Sequence, residues 1–186
     1  MSAFIWRGNV QSGWVDYNGH MGDFAYAIAF SQTVTAFMDV LGLDAAYRAQ
    51  TGATLYTLEM RIGYQRECHE GDSLEIRLHI LQADSRRLHL YLEMVDARGA
   101  ALAWNEQVLM HVSRSGPRPK AAPFLPRTAQ RIRELMACTA PSETSRQPRL
   151  NRTSMHSATC SIWSREMKQK VSGKTGPIQN NIDPEA

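Results

Sequence analysis

The sequence predicts an α+β domain in which a curved antiparallel sheet wraps around one long central helix. Three observations predict it. A long, mostly apolar segment lies near the start, the apolar spacing then switches to a period of two over four long stretches, and short turn sequences separate those stretches. A sheet face of that size must cover something, and one long apolar helix is available.

The helix is read over Asp23 to Leu41, with Asp23 as N-cap or first-turn acid and Gly42 as its stop. Phe24, Ala27, Ile28, Val34, Met38 and Leu41 make an apolar stripe, and Phe30 and Phe37 widen it. Charges occur only at Asp23 and Asp39, near the ends, which predicts a helix buried on most sides. A short strand is expected before Trp14. After a loop rich in small residues, TLYTLEMRIGYQRE alternates Tyr56, Leu58, Met60, Ile62 and Tyr64 with mostly polar neighbours, giving a strand with one buried face. HEGD is read as a turn, SLEIRLHILQA as a second strand, DSRR as a turn, LHLYLEMVD as a third strand, ARG as a turn and AALAWNEQVLMHVS as the fourth. Long strands joined by short turns predict an antiparallel meander. The sheet-and-helix domain is placed at residues 1–115. SGPRPKAAPFLPR, with four prolines, is read as a linker, and TAQRIRELMACT as a short amphipathic helix on the outside of the domain, together 116–138. Residues 139–186 lack Tyr and Phe and are read as a disordered tail, unable to bury enough apolar surface to offset chain entropy.

Charge narrows the classes of partner. Residues 1–138 hold 14 Lys+Arg and 14 Asp+Glu, so the net charge of +3 resides in the tail, and the folded part makes no electrostatic case for nucleic acid. No apolar run reaches the roughly 18 residues of a membrane span. Cys68, Cys138 and Cys160 show no C-x-x-C spacing, so neither a zinc site nor a disulfide framework is expected. His79, His89 and His111 sit singly on separate strands without ligand spacing and are read as structural. With no basic-then-apolar leader pattern, these features predict a cytoplasmic protein without metal or redox cofactor.

The chemistry concentrates in WVDYNGHMGDFAYAIAF, Trp14 to Phe30, where a carboxylate, an amide and an imidazole fall within five residues just before the helix. One reading of Asp16, Asn18 and His20 is a turn held by local side-chain bonds. The other is a reactive cluster. The helix start leaves amides at Met21, Gly22, Asp23 and Phe24 to hold a thioester oxygen. Asp16 would attack, or activate a water; Asn18 would orient the water or the carboxylate; His20 would share a proton or anchor the loop. Glu67 is a further candidate facing the site. Trp14, Tyr17, Tyr26 and Tyr64 could wall a cation, and Arg61, Arg66, Arg86 and Arg87 could meet phosphates.

The pattern Asp-x-x-Gly-His-x-x-Asp-x-x-Tyr, carried by Asp16, Gly19, His20, Asp23 and Tyr26, resembles the signature of hot-dog acyl-CoA thioesterases of the 4-hydroxybenzoyl-CoA type. Asp16, Asn18 and His20 together, and YQREC from Tyr64 to Cys68, also resemble the acyl-ACP thioesterases. The resemblance covers about residues 5–138 and is nearest to the betainyl-CoA and carnitine-pathway branch. It implies a hot-dog fold, an acyl-CoA substrate, Asp16 as the catalytic carboxylate, helix-start amides on the thioester oxygen, and a homodimer or homotetramer with sites at subunit interfaces. Two positions depart from it: Gly22 where the family carries Asn, and Arg61 where the betainyl branch would place His. A hot-dog enoyl-CoA hydratase is the alternative enzyme, though the Asp-to-His spacing is one residue short. A non-catalytic acyl-CoA-binding module is the alternative without chemistry.

Overall fold

The computed structural model describes residues 4–138. A short strand, β1 (Phe4–Asn9), runs through a 3-10 turn at Ser12–Trp14 into the long helix α1 (Asp23–Val40). A second helix, α2 (Ala45–Thr51), precedes β2 (Ala53–Tyr64), β3 (Ser73–Ala83), β4 (Arg87–Val95) and β5 (Ala101–Ser113). A two-residue strand, β6 (Lys120–Ala121), and the helix α3 (Pro126–Cys138) follow. The expected short strand, long helix and four long strands are therefore present. The disordered tail expected for 139–186 lies outside the described residues.

The strands form one antiparallel sheet in the order β1-β3-β4-β5-β2, with β6 added to β5. Bulges at Thr57/Glu59, Ile80/Gln82 and Met94/Val95 bend it, and it curls around α1 as the hot-dog layout requires. The core is the contact between the buried side of α1, centred on Ala29, Phe30 and Phe37, and the inward residues Ile76, Leu78, Leu90, Leu92 and Met94. Each of these Leu, Ile, Met and Phe side chains contributes about 1.5–3 kcal/mol by leaving water.

Four expectations change. The strands are a meander only from β3 to β5, because β2 pairs with β5 at the far edge and not with β3. The stretch after β2 bonds elsewhere: Met21 N–H donates to Cys68 O at 2.8 Å and Gly71 N–H to Val10 O at 2.9 Å. HEGD therefore turns the chain against the β1 loop rather than closing a hairpin. The loop before β2 contains α2, capped by Asp44, whose carboxylate accepts from Tyr47 N–H, and stopped by Gly52 at φ 63°. The proline-rich stretch is strapped to the domain through β6 and through Phe124, which is buried and lies 5.0 Å from the His111 ring.

The fourth change concerns α1 and β2. The helix is buried on one side only; Phe24 is 49% exposed and Ile28 38%. Sheet rungs show why β2 shares this condition. Phe4, Leu78, Leu92, Asn105 and Ile62 stand directly across neighbouring strands, as do Ile80, Leu90, Gln107 and Met60. The inward face continues across β2 through Met60 and Ile62, but the bulge at Thr57/Glu59 breaks the expected alternation and leaves Tyr56, opposite Met110, on the other face; α1 covers the rungs over β3 and β4 and leaves Met60, Ile62 and Tyr64 half-covered or open. A groove of about 650 Å³ lies there, lined by Met60 and the outer side of α1, including Ala27, Ile28 and Thr35.

His111, read as structural, is buried with both ring nitrogens engaged. Tyr47 Oη lies 2.9 Å from Nε2 and Ala122 O 2.8 Å from Nδ1. Nδ1–H therefore donates to the carbonyl and Nε2 accepts from the phenol, tying α2, β5 and the C-terminal strap together. Tyr47→Phe removes the donor and strands a buried nitrogen, so it is expected to lower stability by about 1–2 kcal/mol. Urea denaturation measures this, and an unchanged midpoint would mean that the bond contributes nothing net.

Candidate active site

Asp16 sits at the mouth of a tight turn. Val15 bridges Met21, Asp16 N–H donates to His20 O at 2.9 Å, and Gly19 N–H returns to Asp16 O at 3.0 Å. Gly19 adopts φ 79°, which a residue with a side chain resists, so the glycine sets the turn. One carboxylate oxygen of Asp16, Oδ1, accepts from Asn18 N–H at 2.7 Å. Its Oδ2 has no partner among the described residues, and the side chain is partly exposed. The local-turn reading and the reactive reading thus describe the same residue, with one oxygen holding the turn and one open. Asn18 serves the carboxylate through its backbone N–H, while its side chain is exposed.

The start of α1 is more occupied than the sequence suggested. Met21 N–H is spent on Cys68 O and Gly22 N–H on Trp14 O, while Phe24 N–H is met by Asp23 Oδ1 at 2.8 Å. Of the four amides expected to face the thioester oxygen, only that of Asp23 has no acceptor among the described residues. It lies in the first turn, where the helix dipole is positive.

His20 turns away from this pair. Its Nε2 is 3.5 Å from Glu67 Oε2, and its ring meets that of His69 edge-on at 4.9 Å. Glu67, a candidate for the site, is held at its border by His20 and is 72% exposed. Tyr26 is buried, and its hydroxyl donates to Arg66 O at 3.2 Å and lies 3.5 Å from Cys68 Sγ. It braces the loop below the site and does not line it. Burial pushes both the Tyr26 phenol and the Cys68 thiol above their ordinary values, so Cys68 remains a protonated core thiol. Tyr64 is the more accessible partner, 54% exposed, edge-on to Tyr26 at 5.2 Å, with its hydroxyl 3.5 Å from Asp23 O.

The four-aromatic wall does not form. Trp14 is buried under the loop, Tyr17 is 97% exposed and Tyr26 is sealed, which leaves Tyr64. The aromatic that shares the space beside Gly22 with Asp16 is Phe24, which the sequence puts in the apolar stripe of the helix. The arginines separate as well. Arg87 pairs with Met110, itself opposite Tyr56, so Arg86 and Arg87 lie at the sheet end remote from Tyr64, and Arg87 is tied to Asp84 at 2.7 Å. Arg61 and Arg66 lie nearer the Tyr64 end. No cluster of three His, Cys, Asp or Glu side chains with metal-binding geometry occurs among the described residues.

A family model described as "Thioesterase-like superfamily" matches residues 10–132. The chain is 41% identical over 123 residues to the betainyl-CoA thioesterase of Pseudomonas aeruginosa, a match that spans 66% of this chain and 76% of that one. It is 36% identical over 115 residues to the L-carnitine dehydrogenase/betainyl-CoA thioesterase of Agrobacterium fabrum, of which it spans 24%. Among solved structures, a Staphylococcus aureus protein in complex with CoA superposes with a TM-score of 0.71 at 31% identity. That superposition covers 78% of this chain and 91% of the other.

Proposed function

The chain belongs to the thioesterase-like superfamily, and we propose that it is an acyl-CoA thioesterase whose reaction runs between Asp16 and the first turn of α1. One observation carries this: the unengaged Asp16 carboxylate oxygen lies on a loop, and the unengaged Asp23 amide on a helix start, that the Val15–Met21 bridge and the Gly22 N–H bond to Trp14 O hold together. The Asp23 N–H receives the thioester oxygen and stabilises the charge it gains as the carbonyl carbon becomes tetrahedral. Asp16 Oδ2 either attacks that carbon or removes a proton from the water that does. When water attacks, the C–S bond then breaks, CoA leaves as a thiolate that takes up a proton, and the free acid remains; when Asp16 attacks, the same cleavage leaves an acyl anhydride on Asp16, which water hydrolyses to the free acid. Asn18 N–H holds Asp16 in register, and the His20–Glu67 pair fixes the flank of the loop. A small acyl group is favoured, betainyl above others, because relatives at 41% and 36% identity carry that substrate in their names.

The working unit is a homodimer. β2 is a free sheet edge, and an antiparallel β2–β2 pairing about a two-fold axis extends the sheet without a mismatch. The half-covered Met60 and Ile62 and the open side of α1 adjoin that edge, and a second copy covers them.

The test is release of free CoA thiol over a panel of betainyl-, acetyl-, butyryl- and 4-hydroxybenzoyl-CoA. Cleavage is expected, fastest with betainyl-CoA. A melting temperature raised by CoA esters without cleavage of any would make this a binding module. Hydration of crotonyl-CoA without thiol release would make it a hydratase.

A further inference from the structure

Gly22 has an ordinary backbone, φ −64° and ψ 152°, so nothing in its conformation calls for glycine. What calls for it is space. A Cβ there would stand 2.6 Å from Phe24 Cε1 and 3.0 Å from Phe24 Cδ1, and 3.6 Å from Asp16 Cβ. The Phe24 ring has folded back into the volume that a side chain at position 22 would fill, and Asp16 Cβ borders the same volume. About half of Phe24 remains open, 49% exposed, although the buried side of the same helix was available two residues on. Its backbone is fixed by the Asp23 carboxylate, which accepts from Phe24 N–H.

Resting on the assignment of Asp16 to the reacting carbonyl, we propose that Gly22 and Phe24 form one specificity device: the bare Gly22 seats the Phe24 ring beside Asp16, where its face receives a quaternary ammonium on the acyl group. The chemistry of the ester fits this placement. In a trimethylammonioacetyl thioester one methylene separates the nitrogen from the carbonyl carbon, so the cation can be met only by groups bordering Asp16. A quaternary ammonium has no N–H to donate, which leaves an aromatic face and nearby carboxylates as its partners. Phe24 supplies the first, and Asp16 and Asp23 the second.

The experiment compares betainyl-CoA with its neutral isostere, 3,3-dimethylbutyryl-CoA, which has the same shape with carbon in place of nitrogen. Phe24→Leu keeps apolar bulk and removes the ring face. It is expected to lower the betainyl-to-isostere ratio of kcat/KM roughly tenfold, in the range of a partly desolvated cation–π contact. Gly22→Ala displaces the ring and is expected to lower the ratio similarly in the wild-type background, and to change it no further when added to Phe24→Leu. An unmoved ratio in Phe24→Leu, or additive losses in the double variant, would overturn the device while leaving the thioesterase intact. Wild-type protein that cleaves neither ester would instead overturn the thioesterase reading itself.

Discussion

Asp16→Asn is expected to lower kcat for thioester hydrolysis about 10²–10⁴-fold, the range for removing a positioned acid–base or nucleophilic group. The substitution is clean for a structural reason. An asparagine Oδ1 can still accept from Asn18 N–H, as Asp16 Oδ1 does at 2.7 Å, so the turn keeps its internal bond. What is lost is the charge on the open oxygen. The fall should therefore sit in kcat with KM little changed, and the urea midpoint should stay with that of the wild type. A single turnover in ¹⁸O-labelled water probes the two routes. Label in the Asp16 carboxylate marks direct attack with water entering at the aspartyl carbon of the anhydride, whereas general-base catalysis puts label only in the released acid. Turnover unchanged in the variant removes Asp16 from the mechanism.

The same turn shows how far a sequence can be read and where it stops. Asp16, Gly19 and the helix start were legible because spacing, a turn glycine and a run of apolar residues are local signals. The long strands were legible for the same reason, and β3 emerged with the bounds its alternation marked, Ser73 to Ala83. Strand order was not. That β2 crosses to the far edge depends on Cys68 O and Gly71 N–H finding Met21 and Val10 across some fifty residues, and no local period encodes such pairs. The amides of the helix start follow the same rule. A helix start has open N–H groups in isolation, but Met21 and Gly22 were already spent on Cys68 and Trp14. Phe24 was assigned to the core because periodicity counts apolar residues without saying which side the sheet will cover. Helix α2 is a different kind of miss: Asp44 and Gly52 were cap signals in plain view around a segment too short to show a period.

Ile28→Asp is expected to split the proposed dimer and, with it, the activity. Ile28 stands on the open side of α1, 38% exposed, in the groove it shares with Met60 of the free-edge strand. It makes no part of the buried core, whereas Phe30, two residues on, is fully covered by the sheet. A carboxylate at position 28 therefore stays hydrated in the single chain and loses that hydration only when a second copy covers it. A two-fold interface uses the same patch from both subunits, so the penalty is incurred twice. At several kcal/mol for each ion, the dissociation constant rises on the order of 10⁴-fold or more. Sedimentation should show the variant at the 20.9 kDa of one chain where the wild type sediments at twice that mass. The monomer should keep its far-ultraviolet circular dichroism, since the core under α1 is untouched. Its thioesterase rate should fall because Tyr64 and the helix start border the face that has lost its cover. A wild-type chain that sediments alone, or a variant that stays dimeric at micromolar concentration with full turnover, would place the subunit contact elsewhere. The first outcome would also leave Met60 and Ile28 as an open apolar surface with no second copy to bury it, which is a poor state for a chain whose folded part has no net charge to keep it dispersed.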